Sequence, residues 1–163
     1  MVDTTLNNQT VIVTGASLGI GRATALAFGE CGANVVVNYR SSEDAAQTVV
    51  AQIEAAGGQA VAHHADMADQ EAVESLIQRG VDEFGRVDIA VSNAAYSDRD
   101  YFYQADMEGF RRTVDVTMWG AFYLTRAATQ QMISQGDGGI ITLVSSPHAF
   151  IPAPKAMAYN MAK

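Results

Sequence analysis

Short apolar runs alternate with longer amphipathic stretches along this chain, the pattern of buried strands carried between covering helices. The first run, Val11-Ile12-Val13, enters a Gly-rich turn, and residues 22–28 read as helix. Gly32 is the expected C-cap of that helix, with Cys31 packed ahead of it. Asn34-Val35-Val36-Val37-Asn38-Tyr39 reads as a second buried strand. Ser41 with Asp44 can serve as an N-cap pair for a helix running to residue 56, ended by Gly57-Gly58. Residues 59–64 form a third strand. Asp69 caps a helix to Phe84 whose Val73, Leu76, Ile77, Val81 and Phe84 share one face, and Gly85 stops it. A fourth strand covers residues 87–92. A polar and aromatic segment, residues 96–104, precedes a long helix over residues 106–134, and Gly136-Asp137-Gly138-Gly139 turns into a fifth strand over residues 140–145. Such alternation implies right-handed βαβ units in one α/β domain, residues 1–163, with a doubly wound parallel sheet. Ligands belong at the carboxyl ends of its strands.

Those ends carry the polar residues. The first is the turn Thr14-Gly15-Ala16-Ser17-Leu18-Gly19-Ile20-Gly21, where strand, glycines and helix together make a phosphate cradle. Gly15 suits the tight turn, Gly19 the close approach of a pyrophosphate, and Gly21 the packing of helix on strand. The second strand delivers Tyr39-Arg40-Ser41, the third Asp66-Met67, the fourth Asn93-Ala94-Ala95 and the fifth Ser145-Ser146. An acid after the second strand would bind an adenosine ribose and repel a 2′-phosphate. This chain offers Arg40 instead, which favours NADP and leaves NAD possible.

The formal net charge of −8 disfavours a nucleic-acid partner. Residues 1–10 lack the basic and apolar regions of a signal peptide, and no apolar run approaches membrane-spanning length. The lone Cys31 suits a reducing cytoplasm. His63 and His64 have no metal-ligand company, so no metal is expected.

Tyr159-Asn160-Met161-Ala162-Lys163 places a tyrosine and a lysine one helical turn apart on one face. Free tyrosine titrates near pH 10, and bringing it to neutrality takes about 4 kcal/mol of differential interaction. A lysine ammonium supplies part of that, and Ser146 can hold a substrate oxygen while Tyr159 passes the proton. His148 lies between them in sequence, either a substrate contact or a loop histidine without such a role. Pro147, Pro152 and Pro154 stiffen the segment into an expected pocket wall.

These motifs together resemble the single-domain branch of the short-chain dehydrogenase/reductase family over the whole chain. Residues 35–46 are most similar to its glucose and polyol dehydrogenases and acyl-carrier ketoreductases. The resemblance implies a Rossmann-type fold and NAD(P)-dependent hydride transfer between a secondary alcohol (sugar, polyol or hydroxyacyl) and its carbonyl. It implies that Ser146 orients substrate, Tyr159 is the acid/base, and Lys163 tunes Tyr159 and holds the nicotinamide ribose. The turn residues Gly15, Ser17, Leu18, Gly19, Ile20 and Gly21 would meet the cofactor, as would Tyr39, Arg40 and Ser41. Asp66 and the Met67 backbone would meet the adenine, while Asn93, Ala94 and Ala95 line the cleft. It also implies a homotetramer.

Three positions depart from the family pattern. Thr117 stands where a relay asparagine is usual, so its hydroxyl or a differently placed water would have to serve. Ala95 replaces a glycine. Family members also continue past the lysine with further strands, helices and a substrate-covering segment. The expectation is that these residues form the N-terminal part of a longer chain, with little turnover alone. A non-catalytic dinucleotide sensor is the rival from another class. A nucleotide-sugar epimerase also uses Tyr-x-x-x-Lys, but the glycine spacing fits it poorly.

Overall fold

Apolar side chains pointing to both faces of the central strands bury that part of the sheet on both sides. The computed structural model describes residues 5–163. Its strands are β1 (Thr10–Val13), β2 (Asn34–Tyr39), β3 (Gln59–His64), β4 (Ile89–Ser92) and β5 (Ile140–Leu143). All pairs are parallel, in the order β3-β2-β1-β4-β5. Helices α1 (Gly19–Glu30) and α2 (Glu43–Ala55) cover one face, where Val11, Val13, Val35, Val37 and Val91 meet Ala25, Val49 and Ile53. Helices α3 (Gln70–Phe84) and α5 (Gly120–Gln135) cover the other, packing Leu76, Leu124 and Met132 on Ile12, Val36 and Ala90. Helices α4 (Met107–Val114) and α6 (Met157–Ala162) pack on one another. The fold is the doubly wound, Rossmann-type α/β sheet that the alternation implies.

Departures from the sequence expectations have local causes. Cys31 occupies the cap position of α1, and Gly32 is the residue after it, at φ +84°. Ser41 does not cap α2. The cap position belongs to Ser42, whose side chain makes no capping bond, while Glu43 and Asp44 in the first turn suit the helix dipole. Asp69 caps α3 as expected, accepting from the amides of Glu71 and Ala72. Strand β4 starts at Ile89 because the Gln135 side chain takes both backbone groups of Val87, accepting at 2.7 Å and donating at 3.0 Å. The expected long helix is α4, a wider π turn over Asp115–Trp119, and α5. Strand β5 ends at Leu143, and the next carbonyl, Val144, accepts from Lys163 Nζ. For residues 1–10, the leader expectation falls partly outside the described residues. No helix among the described residues is long and apolar enough to cross a membrane.

The start of β1 is fastened to β4 by a side chain. Buried Asp88 accepts from the Thr10 amide at 2.8 Å and from Arg86 Nε at 2.9 Å. Asp88→Ala strands the buried Thr10 amide, while Arg86 keeps solvent and Asp137, and is expected to cost about 1–3 kcal/mol. The readout is a thermal midpoint several degrees lower, and an unchanged midpoint contradicts it.

Candidate active site

The strand order places β1 and β4 side by side while their connections leave in opposite directions, which opens a crevice at their carboxyl ends. Thr14 closes the bottom of that crevice. Its hydroxyl donates to the Val91 carbonyl at 3.2 Å and accepts from the amides of Asn93 at 2.9 Å and Ala94 at 3.1 Å. The Asn93 amide group returns a bond to the Thr14 carbonyl at 2.9 Å. Asn38, almost fully buried at the end of β2, accepts from the Gly15 amide at 3.0 Å and donates to the Ala65 carbonyl at 3.1 Å. The turn is thereby tied to the ends of its neighbouring strands. Gly15 adopts φ +62°, which favours glycine, and a Cβ on Gly21 would collide with the Gly15 carbonyl and Asn93 Nδ2.

Above this floor lies a cleft of about 340 Å³. Ten of the residues expected to hold cofactor line it: Gly15, Ser17, Tyr39, Arg40, Ser41, Asp66, Met67, Asn93, Ala94 and Ala95. Leu18 and Ile20 instead stand exposed at the start of α1, and Gly21 lies packed under the turn. A Cβ built on Gly19 would meet nothing, so that side of the turn is open ground. An open Gly-rich turn at a helix start, with a polar cleft beside it that carries Arg40, Asp66 and Arg112, fits a dinucleotide.

Two residues of the cleft escaped the sequence reading, because neither lies in a recognisable motif. One is Asn38, in its role as a tie between strands. The other is Arg112, whose Nη2 donates to both Asp66 oxygens, at 2.9 and 2.7 Å. The Ala68 amide also donates to Asp66, at 3.0 Å. Burial pushes the Asp66 carboxyl up, but the Arg112 and Ala68 hydrogen bonds and the Arg112 and Arg40 charges outweigh it, so it sits below the ordinary value.

The second group of residues gathers around α6. Lys163 lies one turn after Tyr159, its Nζ 5.9 Å from the Tyr159 ring centroid and donating to the Val144 carbonyl at 2.5 Å. Burial pushes the half-buried ammonium's pKa down. The Ser146 oxygen accepts from the His148 amide at 3.2 Å, and the His148 ring meets the Tyr159 ring edge-on at 6.3 Å. Arg99 also reaches this place, its guanidinium carbon 5.4 Å from the Tyr159 centroid. No hydrogen bond joins the side chains of Ser146, Tyr159 and Lys163 among the described residues.

Thr117 lines a second cavity, about 350 Å³, together with Lys163. Its hydroxyl donates to the Tyr96 carbonyl at 3.0 Å and accepts from the Tyr96 amide at 3.1 Å. The single proton of Thr117 is therefore spent on the backbone, and only an acceptor position is left for a relay. Pro152 and Pro154 do form a wall, facing Tyr101, Phe102 and Tyr103 across a further cavity. Among the described residues no group of three or more His, Cys, Asp or Glu side chains could hold a metal ion.

Fold and cleft together define a Rossmann-type α/β protein with a crevice at the switch point. The short chain dehydrogenase family model matches residues 9–163. The chain is 40% identical over 158 residues to L-rhamnose 1-dehydrogenase (NAD(P)(+)) of Sphingomonas sp. (strain SKA58), covering 97% of this chain and 62% of that protein. It is 34% identical over 159 residues to glucose 1-dehydrogenase 2 of Bacillus subtilis (strain 168), covering 97% and 62%. A crystal structure of a short-chain type dehydrogenase/reductase from Mycobacterium marinum superposes with a TM-score of 0.92 at 33% identity, over 98% of this chain and 65% of that one. The chain belongs to the short-chain dehydrogenase family. It spans 62% of the length of each of those two curated relatives.

Asp66 makes the stability of the cleft depend on pH in a definite direction. Its depressed carboxyl contributes stability that is present above the ordinary carboxylate value, near pH 4, and is lost as pH falls through its own lower pKa. Urea midpoints of the native protein and Asp66→Asn should differ by a constant amount above about pH 5 and converge on acidification. A gap that persists in acid contradicts this.

Proposed function

We propose that the whole protein is an NADP-preferring oxidoreductase, exchanging hydride between a secondary alcohol of sugar, polyol or hydroxyacyl type and its carbonyl. Residues 1–163 act in it as one dinucleotide-binding domain. The observation that carries this is the pairing of Tyr159 on α6 with Lys163 at its C-cap one turn later, with the ammonium 5.9 Å from the phenol ring, in a chain whose switch-point crevice fits a dinucleotide. The names of L-rhamnose 1-dehydrogenase and glucose 1-dehydrogenase 2 support the alcohol and sugar class. The acyl-carrier alternative is supported by 41% identity over 142 residues to a 3-oxoacyl-[acyl-carrier-protein] reductase of Synechocystis sp. (strain ATCC 27184 / PCC 6803 / Kazusa), covering 87% of this chain and 58% of that protein.

A nicotinamide dinucleotide supplies the hydride chemistry when bound. It would be held by the Gly15 to Gly21 turn, the Asp66-Met67 end of the cleft, Asn93-Ala94-Ala95 and Lys163. The chain's own residues handle the proton. Because Ser146 Oγ accepts from the His148 amide, its own proton is free to be donated to a substrate oxygen. Tyr159 gives that oxygen its proton in reduction and takes it back in oxidation. Lys163, anchored on the Val144 carbonyl, keeps its ammonium beside Tyr159.

Preference for NADP rests on the charges of the cleft. Arg112 takes up the Asp66 carboxylate, while Arg40 lines the same cleft and forms no ion pair among the described residues. That leaves Arg40 available to a 2′-phosphate. A homotetramer working in the cytoplasm completes the proposal. Exposed Trp119 and Phe122 beside the wide turn and α5 are suited to a subunit contact.

Tyr159→Phe in the whole protein should lower kcat by about 100-fold or more while NADPH binding, followed by fluorescence, stays within a few-fold. Retained turnover would overturn the assigned proton donor. Arg40→Leu should raise the KM for NADPH by roughly 10- to 100-fold and leave that for NADH nearly unchanged. Equal effects on both would overturn the phosphate assignment.

A further inference from the structure

The surroundings of the Tyr159 ring are basic. Three side chains reach it: Lys163, whose Nζ lies 5.9 Å from the ring centroid, the His148 ring at 6.3 Å, and the Arg99 guanidinium at 5.4 Å. This happens in a chain with 18 acidic residues against 10 lysines and arginines, where a random neighbourhood would be acidic. Lys163 has a structural partner in the Val144 carbonyl. Among the described residues the Arg99 guanidinium has no such hydrogen-bond partner, and its contact is the Tyr159 ring.

Arg99 belongs to the polar and aromatic segment between β4 and α4, and the sequence reading gave it no role. Its two sequence neighbours are aspartates, so a local ion pair would be the simple outcome. It does not form. Asp98 accepts from the Arg99 main-chain amide at 2.9 Å, and its carboxyl group lies against Gly109 on α4. Among the described residues no carboxylate reaches the Arg99 guanidinium within ion-pair distance, as for Arg22, Arg40 and Arg111, whereas Arg79, Arg86, Arg112 and Arg126 each have such a partner; what sets Arg99 apart is its place over the Tyr159 ring. A guanidinium presents a planar fork of donors that matches a carboxylate or phosphate, and it keeps its charge at any working pH. Held over the ring of the proposed proton donor, the exposed guanidinium is within reach of an anion bound beside Tyr159.

We infer that Arg99 is a specificity-determining residue, and that the substrate carries an oxyanion, carboxylate or phosphate, within a few bonds of the carbon that reacts. The inference rests on the oxidoreductase reading of Tyr159 and narrows it. Among secondary alcohols and their carbonyls, the substrate is an acid or a phosphate ester, and its neutral counterpart is the poor one. The anion pairs with Arg99 while the reacting oxygen lies at Tyr159 and Ser146. This adds binding energy only for the charged compound, because a neutral analogue leaves the fork in water.

The test uses the whole protein with NADPH and a panel of matched carbonyl compounds. Each oxo acid is paired with its methyl ester, and each keto-sugar phosphate with the free sugar. The charged member of at least one pair should be reduced with the higher kcat/KM. Which pairs respond tells carboxylate from phosphate. Arg99→Gln should cut kcat/KM for that charged member by roughly 10- to 100-fold and leave the neutral member within about threefold, with Arg99→Lys recovering part of the loss. NADPH binding, measured separately by fluorescence, should not change in either variant. A native protein that reduces neutral members as well as charged ones, or reduces no charged member, overturns the inference. Equal loss on both members in Arg99→Gln overturns it too. Turnover surviving in Tyr159→Phe would instead overturn the reading beneath it, and the two failures are thereby told apart.

Discussion

The hydroxyl of Thr14 makes three hydrogen bonds across the gap between β1 and β4, and the site depends on that clasp. Strands β1 and β4 are neighbours in the sheet although 75 residues of chain separate Val13 from Ile89. At their ends the backbone leaves in different directions, so its amides and carbonyls lose their ladder partners and need others. Thr14 and Asn93 supply them reciprocally, and Asn38 does the same toward β2. A hydrogen bond of this kind adds about 1 kcal/mol net, while an unmade buried one costs more. What the clasp contributes above all is position. It keeps the Gly15 turn against Asn93 and Ala94, so that the crevice stays open over a polar floor.

Electrostatics then divide the molecule. The chain is strongly acidic overall, and many of its carboxylates ride on the exposed faces of α2 and α3. Inside the cleft, Asp66 is neutralised by Arg112, while Arg40 forms no ion pair among the described residues. Around α6, Lys163, His148 and Arg99 bring further basic groups to Tyr159. The local field in both places is opposite in sign to the protein as a whole. Anions are drawn from solution by such local potentials even when net charge opposes them, since screening limits distant charges to about 8–10 Å.

Tertiary contacts also explain where regular structure stops. Gln135 replaces the ladder at Val87, so β4 is shorter than its apolar run. Around Thr117 the helix widens into a π turn where the hydroxyl reaches across to the Tyr96 backbone. In each case a side chain far along the sequence offers the backbone a partner of its own. Periodicity within a window carries no trace of that offer.

Much of the fold was nonetheless legible. The run of three valines in β2, the shared face of Val73, Leu76 and Ile77, and the Asp69 cap are local consequences of strand and helix geometry, so the sequence alone determined the order of elements and the parallel sheet. The glycines of the turn and the one-turn spacing of Tyr159 and Lys163 are local too, and most of the expected cleft residues were found from strand ends. Only the tertiary structure decided the pairing of Asp66 with Arg112, the tie from Asn38 to Gly15, the loss of the Thr117 proton to Tyr96, and the placement of Arg99 over Tyr159. Each of these joins residues on different elements, brought together by sheet order and helix packing. A short window of sequence carries the propensity of a segment, whereas the partner of a charge or a hydroxyl depends on which distant segment folds against it.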